Sequence, residues 1–175
     1  TAPNEVADGG SPRIGLSYQT DVNSPDVDRV LTQTVGATNV SGVPAGGSIT
    51  YEYLDLGPAA PNDLGSSVIR NTVIDRNGNV TAYEFNQNGN VLTRREQTNR
   101  DIRASDPAFF ETRFTFNGDE QRLFSFFPEG NRVEITRDQA NAQRFQQANI
   151  LEVQETPDGN RGGDQTQRRV NLTYE

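Results

Sequence analysis

The sequence predicts an all-β protein, made of antiparallel hairpins in a repeat-built sheet with little helix. Three observations lead to that class. An aromatic pair at positions i and i+2 occurs as Tyr51-Glu52-Tyr53, Tyr83-Glu84-Phe85 and Phe114-Thr115-Phe116. The pairs begin 32 and then 31 residues apart, a period in the range of stacked or propagating repeat architectures. Asn-Gly turns stand between short alternating runs, and both residues tolerate the positive φ of a tight hairpin turn.

Taken in order, residues 1–12 are small, polar and rich in Gly and Pro, and read as a linker or edge segment. Arg13 to Tyr18 and Arg29 to Val35 alternate like strands around a Pro- and Asp-containing turn at Asp21 to Asp28. Gly36 to Gly47 is a loop, because Gly42, Pro44, Gly46 and Gly47 forbid a helix. Ser48 to Leu56 is a strand and Gly57 to Gly65 a loop. Ser67 to Asp75 and Val80 to Phe85 flank Arg76-Asn77-Gly78-Asn79, and the same construction follows at Gln87-Asn88-Gly89-Asn90 before a strand at Val91. Both predict type I′ turns with Asn and Gly at positive φ. Residues 94–110 are the least strand-like stretch and predict a loop or a short helix. Glu111 to Phe116, Arg122 to Phe127 and Arg132 to Arg137 are strands joined at Asn117-Gly118-Asp119 and at Pro128-Glu129-Gly130-Asn131. Residues 137–149 have room for one or two helical turns. Ile150 to Glu155 is a strand, Thr156 to Gln165 a loop, and Gln167 to Glu175 a last strand, giving about ten strands in all. Residues 1–47 thus form an irregular Gly/Pro-rich segment with two or three strands, and 48–175 carry the repeats.

Composition narrows the chemistry. Only 32% of the 175 residues are hydrophobic, so the nine Phe and five Tyr must carry much of any core. Such polarity also suits disorder, but a disordered chain has no reason to keep short alternating runs. Cys, His, Lys, Met and Trp are all missing, and the absence of Met predicts a piece of a longer protein. Without Cys or His there is no thiolate nucleophile, no Ser-His-Asp arrangement and no ordinary zinc site. A net charge of −8 argues against nucleic acid as a partner. All 16 basic residues are Arg, which suits bidentate pairing with the 24 carboxylates. No run approaches the roughly 18 apolar residues of a membrane helix, so no membrane insertion is expected.

The repeats resemble a known family. Phe116-Asn117-Gly118 with Arg122-Leu123, then Pro128-Glu129-Gly130-Asn131, Val133-Glu134-Ile135 and Asp138, resembles the YD module of RHS-repeat proteins. In that family a Tyr-Asp pair is followed by Gly-Arg-Leu, a strand, a Pro-x-Gly turn and the next Tyr-Asp strand. Asp75 to Thr93 looks like another copy, with Asn86 where Asp is usual and Asn90 where Arg is usual. Asn149 to Val153 and Leu172 to Glu175 look like further fragments. The Tyr-Asp pair itself is never intact, being replaced by Phe85-Asn86, Phe116-Asn117 and Tyr174-Glu175. The resemblance covers residues 48–175 and implies a long antiparallel sheet wound as a spiral, a strip of a hollow β-shell. It further implies a non-catalytic structural role in a bacterial-type secreted or cell-surface protein. The expected partners are the rest of a longer repeat chain, or identical copies, and a possible enclosed toxin domain, with no cofactor. Two alternatives stay open: a self-assembling extracellular fibre subunit or adhesin, and a carbohydrate-binding β domain.

The candidate site residues are accordingly structural. Asn77, Gly78, Asn88, Gly89, Asn117, Gly118, Pro128 and Gly130 are expected to form turns. Tyr51, Tyr53, Tyr83, Phe85, Phe114 and Phe116 are expected to stack across neighbouring strands as an aromatic ladder. Asp75, Asn77 and Asn79 alternate oxygens as a calcium loop does, yet lack its later bidentate Glu, so turn chemistry is the better reading. Asp101, Asp106, Glu129 and Glu134 could in principle supply a glycosidase-like acid pair, but nothing marks two of them out among 24 acids. Sequons at Asn39, Asn79 and Asn171 matter only in a glycosylating host. The Thr156 to Gln165 loop lacks the Lys of a phosphate loop.

Overall fold

A computed structural model describes residues 14–36, 46–99 and 101–174. The linker expected at 1–12, Arg13 of the first strand, most of the 36–47 loop with its Asn39 sequon, and Glu175 lie outside the described residues. The protein is all-β: eleven antiparallel strands hydrogen-bond in strict sequence order in one sheet. They are β1 (Ile14–Tyr18), β2 (Val30–Val35), β3 (Gly47–Asp55), β4 (Ile69–Ile74), β5 (Val80–Phe85) and β6 (Val91–Gln97). The order continues with β7 (Phe109–Phe116), β8 (Arg122–Phe126), β9 (Arg132–Arg137), β10 (Ile150–Thr156) and β11 (Arg168–Asn171). One 3-10 turn, Arg144–Gln146, is the helical content of the 137–149 connection.

One expectation is corrected by the strand bounds. β6 runs on to Gln97 and β7 starts at Phe109, so the irregular stretch expected at 94–110 shrinks to 98–108. Charge hid these strand ends. Arg95, Glu111 and Glu96 take strand positions where the eye looks for apolar alternation, and Arg95 sits directly opposite Glu111 in the ladder.

The chain divides into two compact units, Thr1–Leu54 with Asn71–Ala82 and Asp55–Arg70 with Tyr83–Glu175. In the first unit β1 pairs with β2 from Ile14↔Val35 to Tyr18↔Val30, with a shift at Ser17/Tyr18, and β2 pairs with β3 from Thr32↔Thr50 to Val35↔Gly47. Tyr51 and Tyr53 anchor that pairing, donating to Gln33 Oε1 (3.1 Å) and the Val30 carbonyl (2.9 Å).

In the second unit, residues paired across strands share a face. Thr93↔Arg113, Arg95↔Glu111, Arg113↔Phe126 and Phe126↔Arg132 put charges and rings on one face. Arg94↔Thr112, Phe114↔Ser125 and Ser125↔Val133 set the other. Among the described residues Leu92 is the one buried apolar side chain, while Asn86, Thr93, Thr112, Asn117 and Ser125 are buried polar groups. The sheet is therefore held more by its backbone ladder, turn amides and charge pairs than by an apolar core.

Candidate functional site

Two arrangements recur, and both begin with local sequence. The first is a five-residue hairpin loop at 75–79, 86–90, 117–121 and 127–131. In each, the first residue's N–H donates to the fifth carbonyl and its own carbonyl accepts the fourth N–H, at 2.9–3.0 Å. That is a three-residue loop with its fourth frame position left-handed, the three-residue alternative to a type I′ turn. Gly78 (φ 82°), Gly89 (φ 85°), Glu120 (φ 62°) and Gly130 (φ 88°) hold that position. The type I′ expectation is thereby corrected, since Asn77 and Asn88 do not take positive φ. Gly118 is also displaced from the turn centre: it is second in its loop, and Glu120 supplies the left-handed residue.

A side-chain anchor for the longer loop lies two residues before the Asn of each Asn-Gly pair in the first two loops. Asp75 Oδ1 accepts the N–H groups of Asn77 (2.8 Å) and Asn79 (2.9 Å), and Asn79 Nδ2 reaches Asp75 Oδ2 (2.8 Å). Asn86 Oδ1 does the same for Asn88 (3.1 Å) and Asn90 (2.9 Å), and Asn117 Oδ1 for Asp119 (3.1 Å) and Gln121 (2.9 Å). An Asx side chain bonded two and four residues on braces this loop in three of the four cases. The hydrogen bonds from Asn79, side chain first and then backbone, hold the Asp75 carboxyl below its ordinary range. A neutral amide performs the same task at 86 and 117, so turn formation accounts for the Asp75 oxygens without a cation. Sequence reasoning gave Asp75 to turn chemistry but missed Asn86 as the equivalent anchor, although the recurring Asx-x-Asn-Gly-Asn spacing carried the signal. Asn86, at 2% exposure, also donates to the Leu64 carbonyl (3.1 Å), and Asn88 Nδ2 ties its loop to Glu120 Oε1 (3.0 Å).

The second arrangement is a row of alternating charge across β4 to β7. Arg70 Nε and Nη2 both donate to Glu84 Oε1 (3.0 and 2.7 Å), which also accepts from Arg95 Nη1 (3.2 Å). Arg95 Nε bonds Glu111 Oε2 (2.7 Å), and Arg113 Nε lies 3.5 Å from Glu111 Oε1. Ser67 Oγ completes the shell around Glu84 (3.2 Å). Burial alone would raise the Glu84 carboxyl, but the Arg70 hydrogen bond and the charges of Arg95 and Arg70 outweigh it and leave it lowered. Nothing in the sequence pairs these residues until the strand register is known.

The aromatic residues do not form the expected cross-strand ladder. Tyr83 and Phe85 contact each other along one strand, with centroids 6.4 Å apart, and no other ring pair is in contact among the described residues. The repeat spans two strands: β3, β5 and β7 carry the pairs, and β4 and β6 separate them. Guanidinium groups cover rings instead. Arg29 lies over Tyr53 (4.9 Å), Arg95 over Phe109 (5.3 Å), Arg113 over Phe126 (4.8 Å) and Arg122 over Phe114 (5.8 Å).

An open cleft of about 560 Å³ is lined by Phe124, Phe126, Arg113 and Arg132 among others, with Leu64, Gly65 and Ser67 also in its lining. Of the acids weighed as catalytic candidates, Asp101 and Asp106 lie in the 98–108 loop, Glu134 is exposed in mid-β9, and Glu129 in a hairpin loop pairs with Arg161 (2.9 Å). Three separate elements thus hold them. Pro128 is the second residue of the fourth hairpin loop, whose first residue, Phe127, has no side-chain oxygen to anchor it. No protein-family model matches the chain, and no curated protein matches it significantly. No helix among the described residues is long and apolar enough to cross a membrane.

Proposed function

We propose that the chain is a non-catalytic structural segment of an RHS/YD-type repeat protein, exported or surface-associated, that builds part of a β-shell or scaffold beside or around another domain. The observation that carries this reading is the strand order. Each of eleven strands pairs only with its sequence neighbours, and one loop design closes four of the hairpins. A meander of this kind is extended by adding hairpins at an edge, with every existing pairing left intact, as in other repeat architectures. The exposed side chains of Ile14, Leu16, Phe109 and Phe110 give a neighbouring element apolar surface to cover.

A second reading is favoured by one specific observation. Every residue of the edge strands β1 and β11 is exposed, which suits identical copies that pair edge to edge in an extracellular fibre. Intact mass with light scattering of the protein as isolated from its source separates the two. A parent chain much heavier than 19.3 kDa supports the shell segment, a 19.3 kDa chain in a large regular assembly supports the fibre, and a stable lone monomer refutes both.

A further inference from the structure

We infer that Asn77 is a self-modification site: the asparagine of this fold left open to spontaneous conversion to aspartate and isoaspartate, while Asn88 and Asn117 are held back. All three precede a glycine, the residue whose missing Cβ gives the backbone nitrogen freest access to the preceding amide. Sequence alone therefore ranks them together. The structure separates them.

In the reaction the Gly78 backbone nitrogen loses its proton to solvent and attacks Asn77 Cγ. A C–N bond forms, the Cγ–Nδ2 bond breaks, and the amide nitrogen leaves as ammonia after taking up a proton. Water then opens the resulting succinimide ring at either carbonyl, giving aspartate or isoaspartate. No oxidant or further reactant is needed. The amide of the attacked side chain must be able to turn toward the backbone.

Asn77 is exposed, and its amide makes no hydrogen bond among the described residues; only its backbone N–H is engaged, with Asp75 Oδ1 (2.8 Å). A Cβ built at Gly78 would meet nothing within 4 Å, as at Gly89 and Gly118, so space around the glycine does not separate the three sites. Asn88 is exposed too, but its Nδ2 is tied to Glu120 Oε1 (3.0 Å). Asn117 is buried at 9% exposure, with Oδ1 accepting from Asp119 and Gln121 and Nδ2 donating to Gln121 Oε1 (3.0 Å). The Gly78 and Gly89 N–H groups are hydrogen-bonded alike, each at 2.9 Å, so the side-chain tether decides between the first two sites. The predicted order is Asn77, then Asn88, then Asn117.

Conversion has a structural consequence. Isoaspartate inserts a methylene into the backbone between residues 77 and 78, where the Gly78 N–H closes the loop on the Asp75 carbonyl. It also adds a carboxylate two residues from Asp75, whose own carboxyl is held ionised. The loop between β4 and β5 is the one this chemistry loosens.

The test is peptide mapping by mass spectrometry of the full chain, incubated at mildly alkaline pH under native conditions and in parallel in concentrated urea. The native protein should convert Asn77 well ahead of Asn88, with Asn117 last, and urea should bring the three rates together. Equal native rates, or Asn88 or Asn117 leading, overturns the inference. So does the same ranking in urea, because local sequence would then be the cause. Gly78→Glu copies the residue that the 117–121 loop carries at this position and should lose most of the conversion at Asn77; an unchanged rate overturns the assigned attack.

Discussion

Glu84→Gln keeps the shape of the side chain and removes its charge, so it isolates what the carboxylate does for Arg70 and Arg95. The Glu84 side chain is 13% exposed, and the two arginines are 35% and 34% exposed. A hydrogen bond to a charged group contributes about 1.5–3 kcal/mol net, and breaking a fully buried pair costs about 3–5 kcal/mol. Both arginines keep a third of their surface in water, and Gln still offers one neutral acceptor. The expected loss is therefore about 2 kcal/mol, well above the ~0–1 kcal/mol of a surface pair such as Arg161 with Glu129. Urea unfolding of the full chain, followed by circular dichroism, should show a lower midpoint for Glu84→Gln and little change for Glu129→Gln. Arg70→Gln and the double variant complete a cycle whose coupling should be about 1 kcal/mol or more. If Glu84→Gln falls within about 0.5 kcal/mol of Glu129→Gln, the charge row is decoration and the argument fails.

Acid should expose the same group. The folded Glu84 carboxyl lies below its ordinary value, so the unfolded chain takes up the proton first as pH falls. Its contribution is whole above the unfolded value of about 4.3 and is lost as pH drops through the folded value. Across that window Glu84→Gln should lose less stability than wild type. Glycine replacements should sort by backbone geometry: Gly78→Ala and Gly89→Ala each cost about 1–2 kcal/mol, because Ala resists the left-handed region, and Gly118→Ala should be neutral. Gly130→Ala should cost more than either, since its Cβ would also collide with the Asp158 carboxylate; the same urea titration checks all four. Asn86→Ala should cost about 2–3 kcal/mol, because it strands the Leu64 carbonyl and two loop N–H groups, whereas Asp75→Asn should barely move the midpoint. Arg113→Lys should lose about 0.5–1 kcal/mol with the Phe126 stack, an effect that a Phe126→Leu background should remove.

The strands were legible because a period of two survives even in a polar chain, and the hairpin positions because Asn-Gly stands out between alternating runs. Loop length was not legible from Asn-Gly alone. An acceptor two positions earlier, Asp75 or Asn86, braces the three-residue closure of the first two loops, while the 127–131 loop closes the same way with Phe127 in that place. The aromatic ladder was misread for a topological reason: a 32-residue period covers two strands, so equivalent rings never become neighbours. The charge row had no signature at all, because Arg70, Glu84, Arg95 and Glu111 meet only through register. One feature of composition nevertheless anticipated how the sheet holds together. A guanidinium can lie flat on a ring while its edge bonds a carboxylate, and an ammonium cannot do both with one planar group. Arg29 bridges Asp26 and Tyr53, Arg95 bridges Glu84, Glu111 and Phe109, and Arg113 bridges Glu111 and Phe126. In a sheet whose described residues bury one apolar side chain, Arg95 opposite Glu111 and Arg113 opposite Phe126 take cross-strand positions where a core protein would stack ring on ring. For these three Arg, pairing with a carboxylate is only half of what the guanidinium does.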